Sequence, residues 1–423
     1  MASQGPHVAE ALNLLLVAIG SHGDVHPFIG IGQAMGARGH RVRMIANPFF
    51  SSVINEAGLS VLPVGSEKEH REIHTNPDLW TSAHGWEATL DVAARYLRPV
   101  YRAIASAHEP GKTVVVYSSV AVGARVAQVK FGIPSATVHL SPILFGAESA
   151  PLSIAGIQLP AWAPRGVKRI ARRISVARSA AIMSEPLRAV LQEAGVSADL
   201  PDWQWESPDR MIGLFPGWFA APAPDWPPQT RLTGFLTFDQ RGAVGLDREL
   251  VRFLDAGDPP IAFTPGSGMW NGAKFFAESV LLCAQVGRRG LLLSQYEGHI
   301  PRDLPPGIRH VKYAPFSALF PRCAAVVHHG GIGTSAQGMA AGIGQLITPF
   351  AHDQFDNARR LIGLGIARSI PGSRYRAGSA TPLLSQLLKS EDVRKACRTV
   401  AARFPDPDAM DETCRLIEEL LPS

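Results

Sequence analysis

One stretch narrows the fold more than any other. Between Phe316 and Leu364 a short apolar run, Cys323 to Val327, stops at His328-His329-Gly330-Gly331. Its length suits a single buried strand. Small residues follow from Gly333 to Ala341, a segment that can open as a helix near Thr334 and end at Gly342. A second strand, Gln345 to Thr348, stops at Pro349, and Asp353-Gln354 then leads into a helix through Asn357 and Arg360. Strand, turn, helix and strand in this order predict an α/β unit with parallel strands.

The chemistry of such a unit is specific. A strand that feeds a glycine turn and a helix N-terminus aims free N–H groups and a positive dipole end at one point. Gly330, Gly331 and Gly333 remove side chains, so a phosphate can reach the backbone. Thr334 adds a hydroxyl and His329 an imidazole. Asp353 and Gln354 stand past the end of the next strand, the edge where open α/β sheets bind ligands. An acid beside an amide offers acceptors and donors to a ring of hydroxyls. A nucleotide sugar, diphosphate at one end and hydroxyls at the other, answers both features. The plainer alternative is a tight turn with a structural histidine pair.

The chain of 423 residues has room for two or three domains. Its 40 glycines and 34 prolines fit many short turns, and 18% charged residues argue against a solvated, disordered chain. A net charge of +5 mildly favours anionic ligands or a membrane surface, and is too diffuse for nucleic acid. Cys283, Cys323, Cys397 and Cys414 lack metal-like spacing and read as reduced thiols of a cytoplasmic protein. Leu12 to Ile19 is too short for a membrane span, and no basic region precedes it as in a signal peptide.

In the first half, Asn13 to Ile19 ends at Gly20-Ser21-His22-Gly23-Asp24. Pro27 fits the first helical position of a helix reaching about Arg38, and Arg41 to Ala46 is the next strand. The turn lacks the GxGxxG spacing and no ribose-binding acid follows at Ala46-Asn47-Pro48, which disfavours a dinucleotide. Asp24 either caps its helix or works in the crevice. Strand ends at Asp24, Ser118 and His139 line one crevice, a place for an acceptor. His70 to Trp86, with three histidines and two tryptophans, is a surface loop or an acceptor loop, with Trp86 as the acceptor contact; a metal there lacks supporting acids. Proline-marked, irregular Pro151 to Pro164 is a candidate pocket wall. In Arg165 to Ala181 one helical face carries Val167, Ile170, Ala171, Ile174, Ala177 and Ala181, and the other is basic. Packing of the apolar face with a solvated basic face is favoured, and an anionic membrane surface is the alternative.

Pro216 to Pro228 reads as the hinge, which places one domain at 1–225 and a second at 226–404. Ile261 to Thr264 ends at Pro265-Gly266-Ser267-Gly268, where Ser267 either reaches a diphosphate or simply turns the chain. Asp406-Pro-Asp408 lies between prolines before a helix and reads as a cap rather than a metal motif.

The segment Phe316–Leu364 resembles the donor-binding signature of the UDP-glycosyltransferase superfamily, and Gly20-Ser21-His22-Gly23-Asp24-Val25-His26-Pro27 is similar to the GSRGDVxP pattern of its sterol and antibiotic branch. It shares wording with the rhamnosyltransferase chain of rhamnolipid synthesis as well. The resemblance implies an α/β chain of the GT-B fold, two Rossmann-like domains facing an interdomain cleft, with residues 405–423 a helix crossing back to the first. It implies Asp24 as base, with His22 and His26 as rivals because the branch often has another residue at 22. His329, Gly331, Gly333 and Thr334 then hold the diphosphate, Asp353 and Gln354 the sugar, and Tyr313 stacks on the base. Relatives that use UDP-sugars often carry glutamate where this chain has Gln337; an amide grips a diol less firmly, which leaves a dTDP-sugar open. The expectation is an inverting, metal-independent transfer of a glucose- or rhamnose-like sugar to a hydroxyl of a hydrophobic small molecule or lipid. No cofactor is expected beyond the nucleotide sugar, and the protein is expected to be a monomer or weak dimer. A nucleotide-sugar epimerase or hydrolase, or a non-catalytic sensor, are the alternatives.

Overall fold

The computed structural model describes residues 11–145, 152–154, 157–159, 162–197, 206–237, 245–266, 269, 272–404 and 408–420. In the first half the strands are β1 (Asn13–Val17), β2 (Arg41–Ala46), β3 (Ser60–Pro63), β4 (Thr113–Ser118) and β5 (Ser135–His139). A hairpin follows, β6 (Leu152–Ile154) with β7 (Ile157–Leu159), and then β8 (Arg210–Gly213) and β9 (Thr230–Leu232). The second half holds β10 (Ile261–Thr264), β11 (Gly290–Leu293), β12 (Ile308–Val311), β13 (Ala325–His328), β14 (Gly344–Ile347) and β15 (Ala367–Ser369).

These make two parallel sheets, ordered β3-β2-β1-β4-β5-β8-β9 and β12-β11-β10-β13-β14-β15. Helices cover both faces, so the central strands are apolar throughout; Leu14, Leu15, Leu16 and Val17 are fully buried. Each sheet reverses its winding beside its first strand. The C-terminal ends of β1 and β4, and of β10 and β13, are therefore the natural crevices. Gly20, Ser118 and His139 stand at that edge in the first sheet, and Gly266, His329 and Asp353 in the second. The first sheet runs on to β9, past residue 225, and β9 pairs with β8.

The last helix, Asp408–Glu418, returns to the first half. Cys414, Leu416 and Ile417 join the core under β1 and the helix His22–Ala37. Arg38 reaches Asp411 at 2.8 Å and Glu418 at 3.0 Å, but these pairs are exposed enough to contribute little, and the apolar burial dominates. Asp408 opens this helix, while Asp406 lies outside the described residues.

Four expectations are corrected. His70 to Trp86 is not one loop, since His70 lies in the helix Glu67–Thr75, Pro77–Trp80 is a 3-10 turn and Trp86 lies in the helix Gly85–Ala107. The first helix begins at His22, not at Pro27, which sits in its second turn and forgoes only one intrahelical bond. Ser21 is the N-cap and Asp24 the third helical residue, a signal that the proline obscured. Pro151 to Pro164 is not wholly irregular, since β6 and β7 pair antiparallel within it. Leu159 and Trp162 to Pro164 do not line the cavity, and the other side chains of this candidate pocket wall lie outside the described residues. Finally, the helix Arg165–Ala194 does not pack its predicted apolar face: Val167, Ile170 and Ile174 face solvent, and of the described basic residues Lys168 is buried while Arg169 and Arg173 are exposed as expected.

Candidate active site

The turn after β13 is built around two histidines with different jobs. His328 is fully buried; its Nδ1 accepts the Gly330 N–H at 3.1 Å, so its Nε2–H donates to Gln345 Oε1 at 2.8 Å. It is the structural member of the pair. Gly330 has φ +94°, and a Cβ there would lie 2.7 Å from Ile347, so glycine alone fits. His329 turns toward the cleft between two glycines. A Cβ on Gly266 would come within 2.8 Å of its ring, and one on Gly331 within 2.4 Å of Nε2. Its Nδ1 is buried without a partner. Burial holds its pKa down at about 3, with His328 and His352 adding to the effect, so the ring is neutral.

Gly331 is the N-cap of the helix Ile332–Ala340, and no side chain caps it. The N–H groups of the first turn, on Ile332, Gly333 and Thr334, have no intrahelical acceptor by geometry, and all three residues line the cleft. A Cβ on Gly333 would meet nothing within 4 Å. Backbone donors, a dipole end and an imidazole converge here as expected for an anion site.

Beyond β14 the pair Asp353-Gln354 behaves differently from its sequence reading. Gln354 Oε1 already accepts the N–H groups of Phe350 (2.8 Å) and Ala351 (3.2 Å), leaving only its amide N–H₂ to offer. The Asp353 carboxylate accepts from Asn357 Nδ2 at 2.7 Å through Oδ2. Burial, with a smaller contribution from the charge of Asp24, raises its pKa to about 6. Asn357, fully buried, also donates to the Gly330 carbonyl at 2.9 Å, and Ser141 of the first half reaches its Oδ1 at 3.3 Å. One side chain thus ties the glycine turn, the acid and the other domain together. The sequence hint was faint: an asparagine four residues after Asp353, on the same helical face.

On the opposite wall Asp24 Oδ2 accepts the Ser21 N–H at 2.7 Å and the Ser21 hydroxyl at 3.0 Å. The capping reading is therefore real, and it leaves Oδ1 available. Gly20, at φ +136°, makes the space: a Cβ there would sit 2.3 Å from Oδ2. Burial raises the Asp24 pKa, opposed by the Ser21 bonds and by the fields of His74 and His352. His352 is a second residue the sequence did not single out. It adopts φ 56°, its ring lies 6.0 Å from that of Trp80, and a Cβ on Gly85 would come within 3.2 Å of it. The second domain so leans on the first beside Asp24, and Asp24 and Asp353 lie within range of each other's charge.

These walls enclose one cavity of about 940 Å³ lined by Asp24, His22, His329, Thr334, Asp353 and Gln354 together. Tyr313, half exposed, and Gln337, buried, line its second-domain side, with Gly331 and Gly333. Ser118, His139 and Trp86 line its first-domain side. Ser118 Oγ accepts the Ile19 N–H at 3.4 Å, and Trp86 donates to Ser179 Oγ at 2.9 Å. His139 is 1% exposed with both ring nitrogens unpartnered, packed on Phe145 at 4.7 Å. His22 packs edge-on against Phe50 (5.1 Å) and His26 (5.4 Å), and burial drops its pKa to about 4. Ser267 lies outside the described residues. Among the described residues no group of three or more His, Cys, Asp or Glu side chains is placed to hold a metal ion.

Two family models match the chain, one in each half. Residues 14–134 match the glycosyltransferase family 28 N-terminal domain, and residues 292–418 match the C-terminal domain of erythromycin biosynthesis protein CIII-like proteins. The chain is 28% identical to an O-mycaminosyltylonolide 6-deoxyallosyltransferase of Streptomyces fradiae, over 96% of this chain and 97% of that protein. Its fold is similar to that of the kitacinnamycin glycosyltransferase, with a TM-score of 0.74, 22% identity, and 98% of this chain and 100% of that chain covered. It is also similar to the spinosyn rhamnosyltransferase SpnG solved with thymidine diphosphate, with a TM-score of 0.66, 18% identity, and 96% and 100% covered.

Proposed function

The chain belongs to the GT-B glycosyltransferases of the UDP-glycosyltransferase superfamily, and on that footing we propose that it moves a sugar from a nucleoside-diphosphate donor to a hydroxyl of an apolar acceptor, with inversion at the anomeric carbon. The observation that carries this reading is the shared cavity, with an uncapped helix N-terminus and His329 on one wall and Asp24 on the other.

In this mechanism the diphosphate lies against the N–H groups of Ile332, Gly333 and Thr334. His329 donates to it as a neutral imidazole, and Thr334 through its hydroxyl. As the glycosyl bond breaks, these donors meet the charge that grows on the leaving diphosphate, and no cation is needed. Asp353 accepts from a sugar hydroxyl and Gln354 donates to another, which holds the anomeric carbon in line. Asp24 takes the proton of the acceptor hydroxyl as its oxygen attacks from the far side. Burial that raises the Asp24 pKa makes it a stronger base than an exposed aspartate, and the Ser21 bonds fix its direction. The thymidine diphosphate bound to a structural neighbour and the amide of Gln337 both favour a thymidine-linked donor. The apolar first-domain wall, with His139 and Ser118 at its strand ends, takes the acceptor.

The test is a screen of UDP- and dTDP-sugars against apolar alcohols by mass spectrometry, repeated on Asp24→Asn. Asparagine keeps the oxygen that caps the helix but cannot take the proton. Turnover should fall about a thousandfold, with donor affinity by calorimetry unchanged and the wild-type rate insensitive to chelator. Retained turnover in Asp24→Asn would remove Asp24 from the chemistry.

A further inference from the structure

The helix Arg165–Ala194 carries a second surface that the transfer reaction does not use. Its C-terminal half is ordinary: Met183, Val190 and Leu191 enter the first-domain core. Its N-terminal half turns its apolar stripe outward. Val167, Ile170 and Ile174 are 47%, 61% and 51% exposed, Lys168 on the inner side is 4% exposed, and Trp162 just before the helix is 84% exposed. Positions 167, 170 and 174 recur at helical spacing, so the three form one stripe on the outside of the molecule.

Along the sequence of this half the charge is of one sign. From Arg165 to Ser184 the chain contains Arg165, Lys168, Arg169, Arg172, Arg173 and Arg178 and no acidic residue, although the whole chain has 41 basic and 36 acidic residues. Arg178 pairs with Glu87, and both Arg172 and Arg178 line the cavity, which leaves Arg169 and Arg173 as the exposed cations at the edge of the stripe. An exposed apolar stripe, an aromatic residue at its end and a border of cations are the features of a helix that lies in a membrane interface. A second copy of the chain fits this face poorly, because a twofold contact would set the cations against their own counterparts. The other edge of the same helix, at Ser175 and Ser179, lines the cavity.

We propose that the N-terminal half of this helix, with Trp162, docks the protein on an anionic lipid surface, its apolar stripe in the headgroup region and its arginines on the lipid phosphates. The mouth of the cavity then opens beside the bilayer, where an apolar acceptor would be concentrated. No helix among the described residues is long and apolar enough to cross a membrane, so the contact is peripheral.

The full chain is sedimented with phosphatidylcholine vesicles, with and without phosphatidylglycerol. Binding should require the anionic lipid and weaken with salt. Replacing both isoleucines, Ile170→Glu with Ile174→Glu, should lower vesicle affinity at least about tenfold, and each of Arg169→Gln and Arg173→Gln about fivefold. Ile362→Glu, at an exposed apolar site of the other domain, should leave binding unchanged, and melting curves confirm that each variant folds. Equal binding to both vesicle types, or no effect of the isoleucine pair, overturns the proposal. So does a concentration-dependent rise in mass that the isoleucine pair abolishes while vesicles bind nothing, which would assign the face to self-association.

Discussion

Two strand-to-helix turns meet the same cavity, and they use one backbone device with opposite fillings. Each opens with a glycine in the left-handed region, Gly20 at φ +136° and Gly330 at +94°. Each then reaches an N-cap, Ser21 or Gly331, and a helix whose third residue is Asp24 or Thr334. In the first turn that third residue is an acid that folds back onto Ser21, so the helix end already holds an anion. In the second the N-cap is a glycine and the third residue a small hydroxyl, so the dipole end stays open. The first turn has satisfied its own field, which on the proposed reading leaves its carboxylate for a proton; the second has an open field, which on the same reading takes a charge from outside.

The comparison is most directly broken by making the second turn like the first. Thr334→Asp puts a carboxylate at the third helical position beside an uncapped N-terminus. It should fold at least as well as the parent, gaining about 0.3–1 kcal/mol from the dipole. It should lose about a hundredfold in affinity for a nucleoside diphosphate, since the new charge occupies and repels. Calorimetry with dTDP and UDP, beside a melting curve, measures both. Unchanged nucleotide affinity would mean that the second turn does not hold the diphosphate.

A smaller effect links the two turns through their carboxylates. Asp24 is raised by burial, and Asp353 is lifted to about 6 by burial with help from the charge of Asp24. In the proposed mechanism both act in the ionised form, one to take a proton and one to accept a sugar hydroxyl. Protonation of either as pH falls therefore removes activity, and the rate should level off above about pH 6 and drop below it, about tenfold per unit while Asp353 alone titrates and up to about a hundredfold per unit once both are protonated. Asp353→Asn removes one of the two coupled charges, so the remaining acid limb should move to lower pH. A profile that keeps its midpoint would show that the two groups act independently.

The extent to which these turns were legible differs for a physical reason. Glycines, caps and strand ends are local, so the gathering of His329, Gly331, Thr334 and Asp353 at one cavity could be expected from spacing alone. Asn357 could not, because its meaning lies in a contact with Ser141, 216 residues away. His352 was missed because nothing in its neighbours announces a left-handed histidine packed against Trp80. The oxygen of Gln354 is consumed by its own loop, which residue type alone does not reveal. The helix after Pro164 shows the limit of periodicity. Spacing identified Val167, Ile170 and Ile174 as one face correctly, but a pattern cannot say whether a face points in or out. The general rule that apolar faces pack inward fails here at Ile170 and Lys168.

The parallel between the turns extends one helical step further and yields the finest test. Counting from Ser21 and from Gly331, the sixth helical residue is Pro27 in one turn and Gln337 in the other. Proline presents no polar group, so the first helix has nothing to continue the site. Gln337 lies one turn beyond Thr334 on the same face and lines the cavity, where it can follow a diphosphate toward the ribose. Its amide accepts through a single oxygen, whereas a carboxylate accepts through two and holds both ribose hydroxyls. Gln337→Glu should therefore favour a donor that has a 2′-hydroxyl. The ratio of kcat/KM for UDP-glucose over dTDP-glucose should rise about fivefold, a shift of about 1 kcal/mol for one charge-assisted bond at a partly wet site. The change should appear in KM, with kcat nearly constant, because the ribose is remote from the reacting carbon. A ratio that stays put would place the ribose away from this helix face, and the likeness between the two turns would then end at the diphosphate.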